Sequence, residues 1–157
     1  MILSVDLTEP FPEYSQFLRS NRPIVLACGC FDLLTAGHVQ HLREAKRFGK
    51  TLIVLITPDR YIDKGPKRPV FSEHMRTEVV DALRCVDYTV INQFPTAVEA
   101  IRCFRPDVYV KGKDYSGHGI TPELYEEAKV VTRFGGRVEF TDTEELHTTD
   151  VIRRLLS

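Results

Sequence analysis

Hydrophobic positions along the chain follow two alternating periods. Residues 23–30, PIVLACGC, make a short unbroken apolar run, the pattern of a strand covered on both faces. Val39, Leu42, Ala45 and Phe48 then recur at helical spacing, and Gly49 supplies a helix stop. The same alternation continues. Further strands are predicted at TLIVLI (51–56), YTVIN (88–92), PDVYVKG (106–112) and RVEFT (137–141), with TPDR (57–60) as a turn. Helices are predicted over 71–86, 95–104, 122–136 and 148–157. The first of these has Ser72 as N-cap and Val79, Val80, Leu83 and Val86 on one side. Parallel strands separated by helices of this length need right-handed crossovers and a sheet covered on both faces. The pattern therefore predicts a doubly wound, Rossmann-like α/β fold with a five-stranded parallel sheet. Residues 1–22 read as an N-terminal arm or a short helix packed across a sheet edge, and 23–157 as one domain.

Length agrees with that organisation, since 157 residues support one sizeable core and do not call for two. Twenty-one Lys and Arg against 22 Asp and Glu give a formal charge of −1, so no global field draws the chain to nucleic acid or to an acidic membrane. Any anion must meet a local site. No apolar run approaches the roughly 18 residues of a membrane helix, and a cytoplasmic location is the expectation. Cysteines at 28, 30, 85 and 103 suit a reducing compartment, and Cys28-x-Cys30 lacks a second Cys or His pair at zinc spacing.

In an open parallel sheet, ligands bind at the carboxyl ends of the strands, where helix N-termini present amides and partial positive charge. The stretch GCFDLLTAGHVQHL (29–42) spans such a strand-to-helix junction. Gly29 and Gly37 allow a tight turn and close approach of a ligand, and His38 projects from the first helical turn toward the same crevice. Phosphate is the natural guest. The glycines are not spaced as in a dinucleotide fingerprint, and no G-K-S/T follows to make a P-loop.

GCFDLLTAGHVQHL resembles the first signature of the cytidylyltransferase-like nucleotidyltransferases, G-x-F-D-x-x-H/T-x-G-H. HTTDVI (147–152) resembles their second, S-T-S/T-x-x-I. The intervening GPKRPVFSEHMR and CVDYTVI agree in order and spacing, so the resemblance covers about residues 24–155. Within the family, RPDVYVKGKDY (105–115) is most similar to adenylyltransferase domains that activate heptose 1-phosphate, which read K-G-G-D-Y there. The glycerol-3-phosphate cytidylyltransferases are a more distant likeness. Asp142 stands where those enzymes tend to have arginine.

The resemblance implies attack by a phosphate or phosphonate oxygen of a small substrate on the α-phosphorus of a nucleoside triphosphate, with pyrophosphate leaving. AMP is the favoured group and CMP follows. Such transfer is catalysed by alignment and charge stabilisation. The resemblance carries catalytic roles onto His38, Thr35 and Arg76, and nucleotide binding onto Gly29, Cys30, Phe31, Asp32, Gly37, Lys111, Gly112, Asp114, Thr148 and Thr149. Lys64, Lys67 and Arg68 are candidates for substrate or phosphate binding, against the plainer reading of a solvated charged loop. Thr35 replaces the commoner histidine; it can donate to a phosphate oxygen or simply cap the helix, and both roles can coexist. Asp32 can orient the loop or the nucleotide, or act as a turn residue. Capping also competes for Thr148 and Thr149. Lys113 replaces a family glycine, where it binds phosphate or blocks the usual base pocket. His41, one turn past His38, makes a poor metal ligand without a carboxylate partner, and His74 and His118 read as loop residues. Divalent metal is expected as Mg²⁺ carried by the nucleotide. Expected partners are the triphosphate, the phosphorylated substrate and, by resemblance, a second copy of the chain in a homodimer. Two other readings stay open: a cytidylyltransferase acting on a polyol phosphate or phosphonate, and a nucleotide-binding protein with weakened catalysis. A tRNA synthetase fragment, with a related G-H signature, would want a basic RNA face that the charge does not supply.

Overall fold

Alternation within each strand sends successive side chains to opposite faces of one sheet. In β1 (Ile24–Gly29), Ile24 and Leu26 enter one apolar layer while Val25 and Ala27 enter the other. β2 (Thr51–Ile56) does the same, with Ile53 and Leu55 opposite Leu52, Val54 and Ile56. All these side chains are fully buried, each stabilising the fold by about 1.5–3 kcal/mol for the larger ones. The computed structural model describes residues 1–9, 13–112 and 120–143.

β3 (Tyr88–Ile91), β4 (Val108–Lys111) and β5 (Arg137–Phe140) complete a parallel sheet in the order β3-β2-β1-β4-β5. α2 (Ala36–Lys46) and α3 (Glu73–Asp81) supply Leu42, Ala45 and Val80 to one layer. α1 (Tyr14–Asn21), α4 (Val98–Phe104) and α5 (Pro122–Arg133) supply Leu18, Ile101, Phe104, Leu124 and Val131 to the other. The fold is the doubly wound α/β arrangement expected from the sequence. β2 and β3 are added on one side of β1, β4 and β5 on the other, so the winding reverses between β1 and β4, and the crevice at their carboxyl ends is the switch point of the sheet.

Several boundaries and faces differ from expectation. α3 stops at Asp81 because the chain turns at Ala82; residues to Val86 continue as turns that still bury Val86. The buried stripe of α3 is Arg76, Thr77 and Val80, which leaves Val79, one residue or 100° away, 48% exposed. In α2 the buried positions are Gly37, His41, Leu42 and Ala45, so Val39 lies off the stripe and Phe48 follows the helix. His74 is not a loop residue: Ser72 Oγ accepts the Met75 amide and α3 has begun by Glu73. Strands three, four and five are shorter than the apolar runs that announced them.

The N-terminal segment divides between the two predicted alternatives. Residues 1–3 pair with the β3 edge through Thr89, while α1 lies on the α4 side of the sheet with the Phe17 ring 5.3 Å from Tyr88 and 6.2 Å from Phe104. Gly135, at φ 82°, ends the turn after α5 in a conformation that favours glycine.

Candidate active site

The turn from β1 into α2 is built by contacts among its own residues. Phe31 is 5% exposed and adopts φ 49°, which folds its ring back over Gly29. A Cβ at Gly29 would lie 2.7 Å from that ring, so the glycine is required by the packing of its neighbour. The Phe31 ring meets His38 edge-on at 5.6 Å and walls the imidazole on one side. Thr35 is the N-cap of α2, and its hydroxyl accepts the His38 amide at 3.4 Å. The His38 ring completes a capping box. Its Nδ1 accepts the Thr35 amide at 3.0 Å and lies 2.9 Å from the Thr35 hydroxyl. A backbone N–H can only donate, so Nδ1 is the acceptor and the ring proton of the neutral imidazole sits on Nε2. Of the two readings of Thr35, the capping role is the one the geometry displays. Thr35 caps α2 and fixes the tautomer of His38. Gly37 is buried in the same first turn.

The connection from β2 to α3, with α3 itself, carries four of the predicted cations, and the structure separates them. Arg76 is 1% exposed. Its guanidinium donates to the backbone carbonyls of Cys30, Thr57 (2.7 Å) and Phe71 (3.0 Å), and to Asp59 Oδ1 at 2.7 Å. It ties the carboxyl ends of β1 and β2 together, which is a positioning role. Asp32 is 3% exposed and takes Arg68 Nε at 2.6 Å, with the amides of Val70 and Phe71 at 2.8 and 3.1 Å. Of the readings open to Asp32, the geometry matches orientation of the loop: its carboxylate latches residues 68–71 against the first signature. Lys64 and Lys67 are exposed on the same connection.

A cleft of about 490 Å³ opens at the carboxyl ends of the strands on the α4 and α5 side. Gly29, Cys30, Lys64 and Lys111 are the predicted residues that line it, joined by Asn92, Thr96 and Glu127. His38 does not line this cleft. Its ring packs on Phe31, which belongs to the apolar layer shared with Leu42 and Ala45 of α2. Lys111 Nζ is 3.2 Å from Glu127 Oε2. Burial pushes the Cys28 and Cys30 thiols above their ordinary range, which disfavours thiolate chemistry at this wall. Gly112 is buried directly after Lys111. Lys113, Asp114, His118, Thr148 and Thr149 lie outside the described residues, as does the predicted terminal helix.

The segment leaving β5 is fastened to α2. His41 Nδ1 is 2.7 Å from Thr141 Oγ1, and the Glu44 carboxylate accepts the Asp142 amide at 3.3 Å and the Thr143 hydroxyl at 3.2 Å. Residues 141–143 are thereby tied to the helix that carries His38. Burial lowers the pKa of His41, with Glu44 opposing the shift. Sequence reasoning missed Glu44, Asp59, Tyr109 and Glu127. Only Glu127 had left a signal: it shares the buried stripe of α5 with Leu124 and Val131, a carboxylate at an apolar position.

The cytidylyltransferase-like family model matches residues 26–154. The chain belongs to this family of nucleotidyltransferases. It is 41% identical over 141 residues to the bifunctional protein HldE of Syntrophotalea carbinolica, a match covering 88% of this chain and 28% of that protein. HldE of Gluconobacter oxydans is 40% identical over 142 residues, covering 88% and 29%. The chain thus spans under a third of the length of these relatives. Among solved structures, the lipopolysaccharide core biosynthesis protein of Thermoplasma volcanium shares the fold, with a TM-score of 0.62, 24% identity, and coverage of 79% of this chain and 98% of that one. Among the described residues, no helix is long and apolar enough to cross a membrane.

Proposed function

We propose that the chain transfers a nucleotidyl group, AMP in preference to CMP, from a nucleoside triphosphate to the phosphate of a small sugar phosphate. An acceptor phosphate oxygen attacks the α-phosphorus, the bond to the bridging oxygen breaks, and pyrophosphate leaves with that electron pair. The observation that carries this reading is the His38 imidazole, held at the start of α2 by the Thr35 amide so that Nε2–H is the donor. A preorganised donor beside a helix N-terminus suits charge developing on phosphoryl oxygens. The triphosphate lies on the α2 side with its Mg²⁺, and the acceptor enters the cleft holding Lys64 and Lys111. Similarity of VKGKDY to the heptose 1-phosphate adenylyltransferases favours a sugar phosphate and ATP. The homodimer implied by the resemblance belongs to the same proposal, and sedimentation of the purified chain tests it.

The test combines ATP, CTP, GTP or UTP with Mg²⁺ and a panel of sugar and polyol phosphates, and follows pyrophosphate. Release with ATP and a sugar phosphate is the expected result. Nucleotide binding without release across the panel would favour the second reading, a nucleotide-binding protein with weakened catalysis. That alternative is motivated by Thr35, which cannot carry the positive charge of the histidine more usual at its position.

A further inference from the structure

Glu127 occupies a place where an amphipathic helix ordinarily buries an apolar side chain. It is 4% exposed on α5, between Leu124 and Val131. A buried carboxylate is costly unless its oxygens are satisfied. Here groups from two other elements satisfy them. The Ala97 amide donates to Oε1 at 2.9 Å; the Tyr109 hydroxyl reaches Oε2 at 2.9 Å and the Lys111 ammonium the same oxygen at 3.2 Å. Apolar residues of similar volume often stabilise such a site equally well, so stability is a weak reason for the pair. Its location suggests another. Lys111 ends β4 with its side chain only 11% exposed, and both members of the pair line the cleft. A lysine stem has many rotamers, and a rigid carboxylate partner removes that freedom before a ligand arrives. The nearby wall is rich in neutral hydrogen-bonding side chains, Thr57, Asn92, Thr96 and Thr121, chemistry suited to hydroxyl groups.

We propose that Glu127 is a positioning residue that holds the Lys111 ammonium in the cleft as the binding group for the phosphate of a polyhydroxylated phosphate monoester. The inference rests on reading the cleft as the acceptor side of nucleotidyl transfer, and it is tested without turnover. The probes are inorganic phosphate, glycerol 3-phosphate, ribose 5-phosphate and mannose 1-phosphate, titrated calorimetrically into the wild-type chain and into Glu127→Gln, Glu127→Asp, Lys111→Met and the Gln/Met double variant. Thermal unfolding and nucleotide affinity are measured on each.

At least one phosphate ester is expected to bind the wild type. Its Kd should rise about 10-fold or more in Glu127→Gln and in Lys111→Met, the double variant should be no weaker than Lys111→Met alone, and Glu127→Asp should recover part of the loss. A loss confined to nucleotide affinity, with the ester Kd unchanged, would return Lys111 to the nucleotide-binding role that the resemblance gives it and overturn the proposal. A purely structural role would lower the unfolding temperature and leave Kd per folded molecule unchanged, which would overturn the proposal. So would a wild type that binds none of the probes, or single-variant losses that simply add in the double. If Glu127→Gln does not fold, Lys111→Met and Glu127→Asp decide the matter by the same Kd comparison. A wild type that binds ester and nucleotide yet releases no pyrophosphate would sink the proposed reaction and leave the positioning role standing.

Discussion

Arg68 and Arg76 on one hand, and Lys64 and Lys67 on the other, all follow β2 within twenty residues, look alike in sequence and differ completely in space. Arg68 and Arg76 are drawn inward, one onto Asp32 and the other onto carbonyls of three separate segments and Asp59. Lys64 and Lys67 stay in solvent. A guanidinium presents five donors in a planar fork and can satisfy several acceptors while buried, whereas an ammonium is strongly hydrated and favours the surface. The difference teaches that a run of positive charge near a phosphate site is not one functional unit. Part of it builds the wall, and part of it is available to a ligand.

Replacement of Arg76 probes the wall most directly. Arg76→Ala leaves the carbonyls of Cys30, Thr57 and Phe71 without their shared buried donor, and should cost about 3 kcal/mol or more in urea unfolding. Arg76→Lys should recover only part of it, lacking the fork; full recovery would show that charge alone matters. The next largest effect is catalytic. His38→Ala should reduce pyrophosphate release at least ~10²-fold, equivalent to about 2.7 kcal/mol, while costing only about 1 kcal/mol of stability through the lost half of the capping box. Unchanged turnover would remove the imidazole from the mechanism.

The lysines should show the opposite balance. Lys64→Ala should leave the unfolding midpoint within about 0.5 kcal/mol of wild type and lower kcat/KM for the phosphorylated acceptor about 10-fold. Lys67→Ala, at a residue outside the cleft lining, should affect it less. Equal losses of stability in lysine and arginine variants would erase the distinction drawn between them. The smallest effect is a pH dependence. His41 is buried and its folded pKa lies below the ordinary 6.5, so the unfolded chain takes up a proton more readily. Stability from this group is complete above about pH 6.5 and falls as pH drops below that value, because proton binding favours the unfolded state. His41→Gln should flatten this part of the stability curve, and an unaltered slope between pH 7 and 5 would exclude His41 as its source.

Local pattern determined the order of strands and helices, the doubly wound class, the Thr35 cap and the two family signatures. These features depend on neighbours within a few residues, through alternating burial, helical spacing and N-terminal capping. Tertiary structure decided the sides of the site. It carried Asp32 to residues 68–71 and Arg76 to the ends of β1 and β2, contacts between segments far apart in sequence. It also left His38 out of the cleft that Gly29 and Cys30 line, and paired Lys111 with Glu127 from a different element. A charged residue's sequence neighbours do not set its desolvation or its partner. Those follow from which distant acceptors the packed sheet brings within hydrogen-bonding distance.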